Sequence, residues 1–243
     1  MGDEKRGRLR LEPSAKRVRV YLGGRPVVDT VRALLVWESP YYPTYYIPLG
    51  DVQDGLLKPT GETRHSPSRG EGLVHSAGDR EGAALIYADS PIEELRDRVR
   101  LEWDAMDAWF EEDEEVFVHA RDPGTRVEVL PSSRHVRVEV DGVTVADSRS
   151  PRILYETHLP ARYYLPKTDV RLDLLTPTET VTRCPYKGWA DYWSVAGHDD
   201  YAWSYRTPLP ESQKIAGLIS FYNEKVDIYL DGVLQERPKS PFS

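Results

Sequence analysis

The feature that most limits how this chain can fold is an internal repeat. Val18-Arg19-Val20, Gly24, Val27, Asp29, Glu38, Tyr45-Tyr46, Pro48 and Asp51-Val52 recur as Val136-Arg137-Val138, Gly142, Val145, Asp147, Glu156, Tyr163-Tyr164, Pro166 and Asp169-Val170. Every pair is separated by the same 118 residues, the distance from Val18 to Val136. The register continues through Pro59-Thr60 and Pro177-Thr178, Gly70 and Gly188, and Tyr87 and Tyr205. Ungapped self-similarity of this length means two copies of one domain. The copies are expected at 1–123 and 124–243, with Arg121-Asp122-Pro123-Gly124 as the boundary.

Each copy opens with a hairpin. Val18 to Leu22 alternates apolar and polar residues, meets Gly23-Gly24 and resumes at Val27-Val28, and His135 to Val140 does the same around Asp141-Gly142. A Gly-Gly or Asp-Gly pair between period-two runs is a strong hairpin signal. Further β-rich runs lie at Leu34 to Trp37, Tyr45 to Ile47, Leu73 to Ser76 and Ala83 to Tyr87, with counterparts in copy two and prolines between the runs. One helix per copy is expected next. Ser90-Pro91-Ile92-Glu93 reads as a capped helix start, and Leu95, Val99, Trp103, Met106 and Phe110 recur at three- and four-residue steps. Ile215, Leu218, Ile219 and Tyr222 repeat that spacing in copy two. The fold class expected is therefore mainly β with one helix per repeat (α+β), in two tandem domains of antiparallel sheets. The acidic run Glu111 to Glu115 reads as a solvated turn.

Charge and cysteine content exclude several classes. A formal charge of -8 without any basic stripe argues against a nucleic-acid partner. Cys184 is the only cysteine, so one chain can build neither a disulfide nor a thiolate zinc cage, and a reducing cytoplasm is expected. Met1-Gly2-Asp3-Glu4-Lys5-Arg6 has no apolar signal core, and no run approaches membrane-spanning length, so no membrane partner is expected. The 30% of charged residues and the scarcity of Asn and Met fit heat adaptation and GC-rich coding equally. No P-loop, dinucleotide glycine motif, G-x-S-x-G or His-Glu-x-x-His occurs. No cofactor and no metal are expected.

The sharpest contrast between the copies lies in one loop and the strand after it. Copy two reads Arg183-Cys184-Pro185-Tyr186-Lys187-Gly188-Trp189-Ala190-Asp191-Tyr192-Trp193-Ser194 where copy one reads His65-Ser66-Pro67-Ser68-Arg69-Gly70-Glu71-Gly72-Leu73-Val74-His75-Ser76. Trp203 and Tyr205 likewise stand against Leu85 and Tyr87. Alternate residues of a strand share a face, so Trp203 and Tyr205 point the same way, with Trp193 expected within reach on the neighbouring strand. With Tyr186 and Trp189 they make either an aromatic concavity for a flat or cationic small molecule, with Lys187 as the only cation near, or an ordinary aromatic core. Cys184 is a nucleophile if Lys187, Arg183 or a loop amide lowers its pKa, and otherwise a small apolar residue. Glu38 and Glu156 read as hydrogen-bond acceptors needed by both copies, and Asp51 and Asp169 as turn or cap residues.

The string Cys184-Pro185-Tyr186-Lys187-Gly188, with Tyr163-Tyr164, Pro166 and Asp169-Val170 before it and Ala202-Trp203-Ser204-Tyr205 after it, resembles the bacterial family called domain of unknown function 427. The tail of copy one, Trp103 to His119, resembles the end of its single-domain members. That likeness implies membership of the β-tent group, in which two antiparallel sheets lean together at one edge. Relatives there include the drug-binding domain of cereblon, with its cage of tryptophans, and the zinc-stabilised type B methionine sulfoxide reductases. The paired Cys-x-x-Cys motifs that hold zinc in those proteins are missing from this sequence. A nucleotidyltransferase label attached to the family would need a Gly-Ser turn and an Asp-x-Asp pair on a strand, and no such pair is found.

These readings favour a cytoplasmic small-molecule-binding protein with an aromatic site at Tyr186, Lys187, Trp189, Trp193, Trp203 and Tyr205. One alternative is an enzyme acting through Cys184 or Tyr186 with Lys187. Another is an interaction scaffold without a pocket. Neither the ligand nor an oligomeric state is specified by the residues.

Overall fold

A computed structural model describes residues 9–243; the N-terminal run Met1 to Arg6 lies outside the described residues. The described residues form two compact units, one ending at Asp122 and the other beginning at Pro123. Within each unit, strands build one seven-stranded and one four-stranded sheet, and neighbouring strands run antiparallel. The long sheet of the second unit runs Val127–Pro131, Arg152–Glu156, Arg162–Leu165, Ile219–Phe221, His198–Ser204, Gly188–Val195, Leu175–Cys184. That of the first unit runs Leu11–Pro13, Leu34–Val36, Thr44–Pro48, Arg98–Leu101, Arg80–Ile86, Gly70–Ala77, Leu57–Ser66. The opening hairpins, Val18–Leu22 with Arg25–Thr30 and Val136–Val140 with Val143–Ser148, sit in the short sheets as the Gly-Gly and Asp-Gly turns require.

Side-chain alternation gives each long sheet two different faces. The inner face joins the short sheet in a main core: Val18, Val20, Leu35, Tyr45, Ile47, Val99 and Trp109 share one buried cluster in the first unit, and Val136, Val138, Leu165, Ala202, Ile219 and Ile228 share one in the second. The outer face carries a smaller cluster, with Tyr46, Val74, Leu85 and Tyr87 in the first unit and Tyr164, Tyr192, Trp203 and Tyr205 in the second. The paired tyrosines show the rule directly. Tyr45 enters the main core while its neighbour Tyr46 enters the outer cluster.

The expected helices are not formed. Glu93–Leu95 and Trp103–Ala105 are single 3-10 turns, and Arg98–Leu101 and Ala108–Glu111 are strands. In the second unit a 3-10 segment, Pro210–Ile215, leads into the strand Ile219–Phe221. The three-and-four spacing took one apolar residue from each of several short elements. The local pattern Arg98-Val99-Arg100-Leu101 is period two, with Val99 and Leu101 buried and the arginines half-buried. That run fills the slot between Thr44–Pro48 and Arg80–Ile86, and a sheet with a missing central strand would leave two rows of backbone groups unpaired. The expected cap survives only as a local turn, in which Ser90 Oγ accepts from the Ile92 amide at 3.1 Å.

Two further expectations change. Leu57–Ser66 and Leu175–Cys184 are ten-residue edge strands that contain Pro59 and Pro177, so prolines do not lie only between strands. Both prolines border a register shift, where a ladder hydrogen bond is already missing. Glu111 leaves the solvated acidic turn: it is buried, accepts from the Tyr45 hydroxyl at 3.0 Å, and pairs with Lys16.

Ile219 is fully buried on a central strand of the long sheet. Ile219→Ala is expected to lower unfolding free energy by about 2–5 kcal/mol in urea titration. A loss below about 1 kcal/mol would contradict the strand placement.

Candidate functional site

The outer face of the second long sheet gathers most of the chemistry. Register places Tyr164 opposite Ser220, Ser220 opposite Trp203, and Trp203 opposite Tyr192, so all four project from one face. Tyr205, Ala190 and Ile215 complete the buried cluster. Trp203 and Tyr205 are thus brought together as the alternation requires. Trp193 is not: it pairs with Ala202 and packs against the main core on the opposite face. Direct cross-strand neighbours share a face, and the neighbour of Trp203 is Tyr192.

The turn Cys184 to Gly188 closes the hairpin at the edge of this face. Gly188 has φ 94° and Gly70, its counterpart, has φ 88°, a left-handed conformation that explains the glycine in both copies. Within the turn the residues part company. Lys187 points inward and is buried, Tyr186 and Cys184 are half-buried, and Trp189 is exposed under the Arg183 guanidinium at 3.9 Å. Trp189 therefore stands outside the ring cluster.

Lys187 forms a buried ion pair with Glu156. Burial by itself would pull the ammonium pKa down, but the neighbouring Cys184, Glu156 and Tyr164 outweigh it and hold the pKa above that of an ordinary lysine. Lys187 is accordingly a fixed cation near neutral pH and not a proton acceptor. In the first unit Arg69 and Glu38 make the matching pair. There the Tyr46 hydroxyl donates to Glu38 at 2.6 Å and accepts from Arg69 at 3.0 Å. In the second unit the Tyr164 hydroxyl instead accepts from the Trp203 indole at 3.1 Å. Glu38 and Glu156 are thus acceptors in both copies. Asp51 and Asp169 match too, accepting from the Thr30 and Ser148 hydroxyls at 2.6 Å each.

Several residues of the site escaped the sequence reading. Arg162, in place of Thr44, pairs with Glu224 through two bonds of 2.6 and 2.8 Å, both side chains buried. Its guanidinium lies 5.5 Å from the Trp203 ring and 5.7 Å from the Tyr222 ring. Tyr222 packs against Trp203 with centroids 4.5 Å apart, and the Tyr222 and Tyr192 hydroxyls meet at 3.2 Å. Lys187 is therefore not the only cation near the rings. The contrast between copies held the signal, but after Tyr205 the register slips, and an ungapped comparison misaligns this part.

Strand pairing restores the correspondence. Arg100 lies opposite Tyr46 and Leu85, as Ser220 lies opposite Tyr164 and Trp203. The first unit thus carries Arg100 against Glu38 at 3.1 Å and Glu102 at 2.6 Å, a charged network. The second carries Ser220 and Tyr222. Ser220 is fully buried and its hydroxyl has no hydrogen-bond partner. Among the described residues, no group of three or more His, Cys, Asp or Glu is placed to hold a metal ion, and no helix is long and apolar enough to cross a membrane.

A family model described as a domain of unknown function, DUF427, matches residues 10–112 and again residues 128–232. The chain belongs to this family, in tandem duplicated form. No curated protein matches it.

Breaking a buried pair strands a charge, whereas replacing both partners removes the problem. Lys187→Met is expected to cost about 3–5 kcal/mol in denaturant unfolding, and the double change with Glu156→Leu markedly less. Additive losses would contradict direct pairing. For Glu224, burial pushes the pKa up, but the hydrogen bonds from Arg162 and Ser240 outweigh it and hold it below the ordinary glutamate value. Its stabilisation is present above the unfolded glutamate pKa of about 4.3 and is lost as pH falls through the lower folded value. Glu224→Gln is expected to flatten that acid limb of the stability profile; an unchanged acid limb would contradict the assignment.

Proposed function

We propose that this tandem DUF427 protein binds a flat small molecule on the outer sheet face of its second unit, and that the first unit is its structural partner. The observation that carries the reading is the substitution pattern between equivalent positions of two copies with one strand order. Val74, Leu85, Arg100 and Glu102 of the first unit become Tyr192, Trp203, Ser220 and Tyr222 in the second. A charged network around Glu38 and Arg100 is replaced by rings, a fixed cation at Lys187 and a buried hydroxyl without a partner. Aromatic walls with a few polar groups are what small-molecule sites offer.

Lys187, Trp203 and Tyr205 form the inner part of this site. Tyr186 and Trp189 belong to its rim, and Trp193 supports the sheet from behind. Arg162 among the rings favours a neutral flat ligand over a cationic one. The β-tent arrangement implied by the family resemblance belongs to the same reading, with the cereblon tryptophan cage as its analogy, and so does a cytoplasmic location in which Cys184 stays a thiol. Fold likeness alone does not fix function.

A second reading is catalysis by Cys184, favoured by its position beside the Lys187 ammonium. Alkylation of Cys184 at the pH of an ordinary thiol, or only after unfolding, removes this reading.

The first reading is tested by a thermal-shift screen of imides, nucleobases and other flat heterocycles on the wild type and on Trp203→Leu, which installs the residue of the first unit. Occupancy at about 100 times Kd stabilises the native state by roughly 2.7 kcal/mol. The expected result is a shift in wild type that is lost in a folded Trp203→Leu variant. A shift of equal size in both overturns the site.

A further inference from the structure

The segment after the last strand reaches the edge of the same face through Ser240 and Phe242. Ser240 Oγ donates to Glu224 Oε1 at 2.5 Å, and the Phe242 ring sits 6.1 Å from Tyr222 and 5.6 Å from the Arg162 guanidinium. Arg162 is thereby surrounded by Trp203, Tyr222 and Phe242 at 5.5, 5.7 and 5.6 Å. Trp203 belongs to the sheet, Tyr222 follows the strand Ile219–Phe221, and the third ring is brought by the segment.

The hold on that third ring is slight. Phe242 remains 44% exposed. Residues 235–243 contain no strand, and the hydrogen bonds of Ser240 to Ser243 otherwise close a local turn: Phe242 N to Ser240 Oγ at 3.1 Å, Ser240 N to Ser243 Oγ at 3.0 Å, and Ser243 N to Ser240 O at 3.1 Å. A cleft of about 180 Å³, lined in part by Ala161, Asn223, Gln235 and Pro238, lies against the base of the same segment. Upstream the segment is moored by Arg237 to Asp227 at 2.8 Å and by the Gln235 amide to Ile228 O at 2.8 Å.

We infer that Phe242 is a built-in competitor: its ring occupies a subsite for the aromatic ring of the ligand, and binding displaces the turn Ser240 to Ser243. The inference rests on the proposed ligand-binding reading and narrows it. A ring that replaces Phe242 lies beside a guanidinium, and that geometry favours electron-rich π systems, of which indole is the best among the side-chain rings. The ligand class is therefore a neutral, electron-rich flat aromatic. The tether from Arg237 is short, so Phe242 competes at an effective concentration on the order of millimolar.

Indole is the probe, titrated by ligand-observed saturation-transfer NMR into the full chain, Phe242→Ala and Ser240→Ala. Loss of a ring that keeps about half its burial is expected to raise indole affinity roughly three- to tenfold in Phe242→Ala. Ser240→Ala, which unties the turn while keeping the ring, should give a smaller gain in the same direction. Adding Trp203→Leu to Phe242→Ala should abolish the gain. Equal affinity in wild type and Phe242→Ala overturns the competitor and leaves the site standing. A gain that persists with Trp203→Leu places the indole elsewhere and overturns the subsite. Absence of indole binding in Phe242→Ala overturns the subsite and the ligand-binding reading together.

Discussion

A buried carboxylate paired with a cation from a hairpin turn is the contact on which each outer face depends. Glu38 with Arg69, and Glu156 with Lys187, tie a strand end to the closing turn of the edge hairpin. An unpaired charge at that depth is costly, so the turn must dock on the sheet. The two copies keep the pair and change the cation. Arginine carries a fork of donors, and Arg69 serves Glu38 and the Tyr46 hydroxyl together. Lysine is a point charge on Glu156, and the Tyr164 hydroxyl turns to the Trp203 indole. One exchange of cation thus accompanies the entry of a tryptophan into the face.

The rest of the face differs in the same sense between two copies with one topology. In the first unit Glu38, Arg69, Arg100 and Glu102 form one charged network. In the second unit two buried pairs, Lys187 with Glu156 and Arg162 with Glu224, flank the rings, and the Lys225 ammonium lies 4.8 Å from the Tyr222 ring. Buried charges that are already paired orient and stiffen a site without offering a free acid or base. In the proposed reading such a face serves binding and not proton transfer.

Much of this was legible in the residues. The repeat, the opening hairpins at Gly23-Gly24 and Asp141-Gly142 and the common face of Trp203 and Tyr205 all obey local rules. The helices did not, because Leu95, Val99, Trp103, Met106 and Phe110 satisfy a helical spacing by chance while the sheet claims Arg98–Leu101 as a central strand. Tertiary pairing overrode the longer pattern. Trp193 was misplaced because strand register, which sets its face, is not written in its own sequence. Arg162, Glu224 and Tyr222 were missed for a related reason: their meeting joins separate strands and a turn, and the repeat interval shifts between the copies before Tyr222.

The most direct test of the account uses the chain's six tryptophans, which divide into Trp37, Trp103 and Trp109 of the first unit and Trp189, Trp193 and Trp203 of the second. Each gives one indole N–H resonance in a 15N-labelled sample, to be assigned by single substitutions and followed during titration with flat heterocycles. The account predicts that a bound ligand moves the Trp203 resonance, whose N–H faces the Tyr164 hydroxyl, and leaves the three resonances of the first unit in place. Movement of the first-unit resonances with Trp203 unchanged would contradict it, and so would a face that no flat ligand perturbs.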